Sequence, residues 1–237
     1  MFFSPVVEKF VRTFIALSLV SAGIYTFGNA QLFDRLYILI ILTVGFFVRK
    51  DINMVGIIAL LGAQRLVEEA GYVFIHSQFI PIKAMIYLCC TVGLYKIRFD
   101  PFRYPLGIIL AISISAEFYW YYTDYKAPVV WWHVLLITNS MLVRKLIWMR
   151  ELWTKRHFPG KARSLDMDYY IYELCKVYIW VNIAMVLEYM VRHILLKKQI
   201  LYVYYSFPYV VHSITVVTLL LLVDQSIKSI NARMIKV

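Results

Sequence analysis

Residues 53–76 read NMVGIIALLGAQRLVEEAGYVFIH, a run that is apolar for most of its length yet carries Arg65, Glu68 and Glu69 in its second half. A helix rises ~1.5 Å per residue and needs ~20 mainly apolar residues to cross the ~30 Å hydrocarbon core of a bilayer, so this run has the length of a membrane span. A charge at such depth costs roughly 2.5–3.5 kcal/mol on insertion scales, and it should therefore be paired, protonated, or turned toward protein or water. Arg65 precedes the two glutamates by three and four residues, the spacing of neighbours on one helical face. Successive residues diverge by ~100° around a helix. The expectation is that one glutamate pairs with Arg65 and that Glu69 is left unpaired.

The same ruler gives eight candidate helices, at 5–27, 32–48, 53–76, 80–96, 104–123, 128–149, 169–195 and 201–223. Composition points the same way, with 62% of residues hydrophobic and 16% charged. The prediction is an all-α, polytopic membrane bundle forming one membrane domain over 1–237. Its helices pair as four tandem hairpins, at about 5–50, 53–96, 104–149 and 169–223, with a basic connection at 151–168. Lys9 and Arg12 before the apolar run from Phe14 imitate a secretory signal, but the run passes Ser21 and reaches Phe27 without a small-x-small cleavage site. It is read as a helix.

Lysine and arginine placement sets the orientation of a multi-pass chain. With the N-terminus inside, 17 basic residues fall on the cytoplasmic side and 6 outside, while Arg65 and Lys176 lie within spans. Both termini are therefore expected in the cytoplasm. The net charge of +11 is better explained by this bias and by attraction to anionic headgroups than by nucleic-acid binding. Segment 151–168 holds Lys155, Arg156, Lys161 and Arg163 beside Trp153 and Phe158. That composition suits the headgroup layer, or a cytoplasmic protein partner. A homo-oligomer is compatible with the same reading.

Laid over one another, three hairpins share a grammar. The strings FIPIKAMIYLCCT (79–91), KAPVVWWHVLLIT (126–138) and SFPYVVHSITVVT (206–218) each place a proline near a predicted helix start, where its missing N–H is harmless. A glutamate precedes each, at Glu69, Glu117 and Glu188; the first two are 48 residues apart, as are Lys96 and Arg144. This is the pattern expected of an internal repeat. At ~1.5 Å per residue from the inner ends, Glu68 and Glu69 stand ~23–24 Å up their helix, Glu117 ~20 Å and Glu188 ~28 Å, all in the outer half.

Candidate functional residues follow from charge at depth. Glu173 has Lys176 at i+3 and Glu188 has Arg192 at i+4, so with Arg65 and Glu68 these form the candidate structural ion pairs. Glu117 has no basic residue within a turn of its own helix and is flanked by Trp120 and by Tyr119, Tyr121 and Tyr122, whose hydroxyls are candidate donors. Glu69, Glu117 and Glu188, with His133 and His212, make up the candidate polar pathway. The histidines are read first as hydrogen-bonded links between helices and only second as proton relays.

No metal-ligand spacing, no CxxC pair and no cofactor motif is present. Cys89, Cys90 and Cys175 all fall inside helices, where each fits as a small hydrophobe. GxSxG, HExxH and GxxxxGK[ST] are also missing, which puts an intramembrane enzyme last. An ion or proton channel or transporter using the outer-half glutamates stands first. The alternative is a non-catalytic membrane anchor, sensor or effector subunit that engages a cytoplasmic partner.

Overall fold

The computed structural model describes residues 5–74, 80–126, 129–195 and 201–234. Pro128, Lys197, Lys198 and Lys236, used above for turn and topology, lie outside that range. Among the described residues the chain is all-α, with eight helices: α1 Pro5–Tyr25, α2 Ala30–Val48, α3 Ile52–Phe74, α4 Ile80–Lys96, α5 Arg103–Tyr122, α6 Val130–His157, α7 Asp166–Met190 and α8 Tyr202–Met234. A short π-helical segment, Val191–Leu195, prolongs α7. Among the described residues two helices, Asp166–Ile194 and Tyr202–Ala232, are long and apolar enough to cross a membrane. Helix α4, at 17 residues, is shorter than that measure, and the apolar run of α3 is broken by Arg65, Glu68 and Glu69.

Two helices outrun their apolar stretches. Helix α6 continues through Arg150 to His157, and α8 through Asp224 to Met234. The connection expected over 151–168 therefore shrinks to residues 158–165. Gly160 turns it at φ +80°, a left-handed conformation that glycine adopts without a Cβ penalty. Pro208 departs from the shared grammar, because α8 starts at Tyr202 and the proline sits inside the helix.

The chain divides into two compact units. The first comprises residues 1–62, 147–174 and 210–237. In it a Cβ at Gly23 would meet Val216 Cγ2 at 2.8 Å, so α1 and α8 approach closely only because residue 23 has no side chain. Met54, Ile57, Ile147, Met167 and Leu219 are buried there. The second comprises residues 63–146 and 175–209. Its core joins Ile86, Leu106, Trp120, Trp131, Ile137, Met141 and Ile179 from α4 to α7. Gly93 brings α4 against Thr138 of α6, where a Cβ would lie 2.8 Å from the threonine methyl.

Candidate functional site

The most connected polar group belongs to the first unit and gathers at the start of α3. Arg150 of α6 donates from Nε to Asp168 Oδ1 at 2.7 Å and from Nη2 to Oδ2, the two-pronged arrangement a guanidinium makes with a carboxylate. Its Nη1 donates to Asn53 Oδ1 at 3.1 Å and its Nη2 also to the Arg163 carbonyl at 3.0 Å. Asn53 spends both ends of its amide: the NH2 donates to the Lys161 carbonyl at 2.8 Å and to Asp51 Oδ1 at 3.3 Å, and the oxygen also accepts the Arg163 N–H at 3.1 Å. Asp51 Oδ2 accepts from the Arg163 guanidinium and the Ser229 hydroxyl. We call this the ionic lock; it draws on α3, α6, α7, α8 and the 158–165 connection.

Arg150, Asn53, Asp51 and Ser229 are all buried, so the lock is a satisfied polar core rather than a surface decoration. Burial pushes the Asp51 carboxyl up, but hydrogen bonds from Ser229 and Asn53 and the charge of Arg163 outweigh it and hold the group below the ordinary aspartate value of 3.8. Of these residues, Asp51, Asn53, Asp168 and Ser229 were not singled out in the sequence. Asp51 two residues before Asn53 at a helix start was the available signal, because short polar side chains there bond the local backbone. Arg163, expected to face headgroups or a partner, instead pairs with Asp51 at 46% side-chain exposure.

Glu68, Glu69, Glu117 and Glu188 belong to the second unit and Glu173 to the first, and each has a partner. Arg65 bridges both neighbours, to Glu68 Oε2 at 3.0 Å and to Glu69 Oε1 at 3.1 Å. The unpaired role expected for Glu69 is therefore corrected: a forked guanidinium spans the divergence of adjacent side chains. Glu117 receives Lys83 Nζ of α4 at 3.3 Å and the Tyr87 hydroxyl at 3.5 Å. Its donor tyrosine comes from the partner helix, while Tyr119, Tyr121 and Tyr122 are exposed. Glu188 accepts the backbone N–H groups of Val203 at 2.7 Å and Tyr204 at 2.9 Å. It holds the opening turn of α8 rather than Arg192, since a helix start offers free donors and a favourable dipole. Glu173 and Lys176 keep their i+3 spacing on α7, and neither is without a partner.

Both candidate histidines link helices. His133, buried in the second unit, meets Asn182 Oδ1 through Nδ1 at 2.9 Å, with the Tyr189 and Phe207 rings set edge-on. His212, in the first unit, donates from Nε2 to the Gly23 carbonyl at 2.7 Å and lies 3.9 Å from the Phe33 ring centre. Among the described residues no hydrogen bond or ion pair joins Glu69, Glu117 and Glu188 to one another, and no three His, Cys, Asp or Glu side chains gather as metal ligands would. One further ion pair sits at the α4–α5 turn, where Arg144 Nη1 meets both Asp100 oxygens at 2.9 and 3.0 Å and its guanidinium lies over the Phe102 ring. No protein family, no curated protein and no solved structure matches the chain.

Proposed function

We propose that the chain is a multi-pass membrane scaffold or anchor subunit, with both termini cytoplasmic, whose buried charges set helix register. One observation carries the membrane part: large apolar side chains stand exposed around an apolar core that also buries two arginines. Arg144 and Arg150 are 2% and 4% exposed, while Leu66 and Phe118 are 72% and 71% exposed. In water that arrangement hides charge and displays apolar surface, whereas in a bilayer both features are favourable. The scaffold part rests on the engagement of every candidate carboxylate by a partner within the protein, as expected of structural charge pairs.

Conduction of protons or cations is the second reading. Glu117 favours it, because its side chain is 19% exposed and is paired with one part-exposed lysine. Purified protein in liposomes separates the two. The scaffold reading expects proton and potassium flux equal to that of empty liposomes, for wild type and for Glu117→Gln alike. Flux above that level that Glu117→Gln abolishes would establish conduction instead; flux indifferent to the substitution would leave a pore with no role for this residue. Release of the chain from native membranes by alkaline carbonate would remove the multi-pass reading altogether.

A further inference from the structure

Five exposed cations of the first unit lie beside the ionic lock without taking part in its charge pairing. They are Arg49, Lys50, Lys155, Arg156 and Lys161. Among the described residues no ion pair engages any of them, because the nearby acids Asp51 and Asp168 are taken by Arg163 and Arg150. Glu151 and Asp166 are the exposed acids of the same stretches, leaving an excess of positive charge. The lock also decides where these cations stand. Asn53 binds the Lys161 carbonyl and Asp51 binds Arg163, so the Arg49–Lys50 turn is held within a few residues of the 158–165 connection despite a separation of 108 residues between Asn53 and Lys161.

A second observation identifies what such a cluster meets. Leu39, Leu42, Phe46 and Arg49 follow one another at spacings of three, four and three, the stripe of a single helical face. The three apolar members are 66%, 68% and 62% exposed, and the Arg49 guanidinium lies 4.9 Å from the centre of the Phe46 ring. An exposed apolar stripe that ends in a cation is the pattern of a helix leaving the hydrocarbon core at the headgroup level. Trp153 and Phe158, also exposed, repeat the pairing of rings and cations at the end of α6. An acidic protein segment would account for the cations but not for an apolar stripe running into them.

We infer that Arg49, Lys50, Lys155, Arg156 and Lys161 form a binding surface for anionic phospholipid headgroups, assembled by the ionic lock. The inference rests on the membrane reading above and deepens it. Several juxtamembrane cations acting on one leaflet give a preference for anionic lipid that salt weakens.

The test uses the full chain in mixed micelles of phosphatidylglycerol and phosphatidylcholine, with retained lipids counted by native mass spectrometry. The expected result is enrichment of phosphatidylglycerol by at least about fivefold, a factor that one interfacial cation alone supplies. That enrichment falls as salt is raised, and it approaches parity in R49Q/K50Q/K155Q/R156Q/K161Q. Parity in the wild type, or undiminished enrichment in a folded variant, would overturn the inference. If the five-fold variant does not fold, K155Q/R156Q together with the salt dependence of the wild type decides by the same criteria. Retention of a polyglutamate peptide alongside lipid parity would assign the surface to an acidic protein and likewise overturn it. Carbonate extraction keeps the failures apart: a chain that stays in the membrane yet shows parity loses this inference alone.

Discussion

The two units bury charge in different ways. In the first, four short side chains and two arginines share one network in which Arg150, Asn53, Asp51 and Asp168 each serve more than one partner. In the second, Glu117 meets one cation and one hydroxyl, Glu188 meets two backbone N–H groups, and Arg65 serves two glutamates of its own helix. The contrast concerns consequence. Removing one member of the shared network perturbs partners on several helices at once, whereas removing one member of a local group perturbs only the one or two groups it meets.

Arg150→Ala tests the contrast hardest. It leaves the half-buried Asp168 carboxylate without its guanidinium and takes one of two donors from the buried Asn53 oxygen, and it is expected to cost about 3–5 kcal/mol, read from denaturant or thermal unfolding in detergent. Arg150→Lys should recover little, because one ammonium cannot reproduce the fork across Asp168 while also reaching Asn53 and the Arg163 carbonyl. A near-wild-type melt for Arg150→Ala would erase the distinction between the units.

Glu188→Ala comes next, at about 1.5–3 kcal/mol, since two charge-assisted bonds to the start of α8 are lost together. Its signature is local: hydrogen exchange of the amides at Val203 and Tyr204 should speed up before the rest of the second unit responds. Glu188→Gln, which keeps one acceptor oxygen, should fall between. Protection that survives Glu188→Ala would show that packing, not capping, holds that turn.

The smallest effect is the response of the lock to acid. A carboxyl whose folded pKa lies below its unfolded value contributes stability that is complete above the ordinary value of 3.8 and is lost as pH falls through the depressed folded value. Wild-type stability should therefore decline below about pH 4. In Asp51→Asn, less stable near neutrality, that part of the decline should be missing. Parallel acid profiles for the two proteins would mean that Asp51 contributes no charge-dependent stability.

Helix positions were largely legible, with starts within a few residues, because apolar runs bounded by polar residues leave few alternatives. Helix ends were less so. Hydropathy reports apolarity and not helicity, so the polar extension from Glu151 to His157 was read as a connection and that from Asp224 to Met234 was left outside the last helix. The spanning property itself is supported by length and composition for two helices. Spacing along one helix found the Arg65 pairing but misassigned Glu188, whose partners lie 15 and 16 residues away at the start of α8. Lys83 and Glu117, 34 residues apart on different helices, left no local trace at all. The three repeated glutamates ended with three kinds of partner, so similar hairpin grammar did not carry similar chemistry.

The span of the ionic lock along the chain has a consequence for biogenesis. Asp51 and Asn53 emerge early from the ribosome, while Lys161, Arg163 and Ser229 lie 108, 112 and 178 residues further on from their respective partners. At ~5–20 residues per second, Ser229 follows Asp51 by roughly 9–36 s. Asn53 gains its arginine donor and Asp51 its guanidinium after 97 and 112 residues, but Asp51 waits for its last donor until the end of that interval. Helix α8 delivers the Ser229 hydroxyl, so the arrival of that helix marks the moment at which the early and late parts of the chain become a single closed assembly.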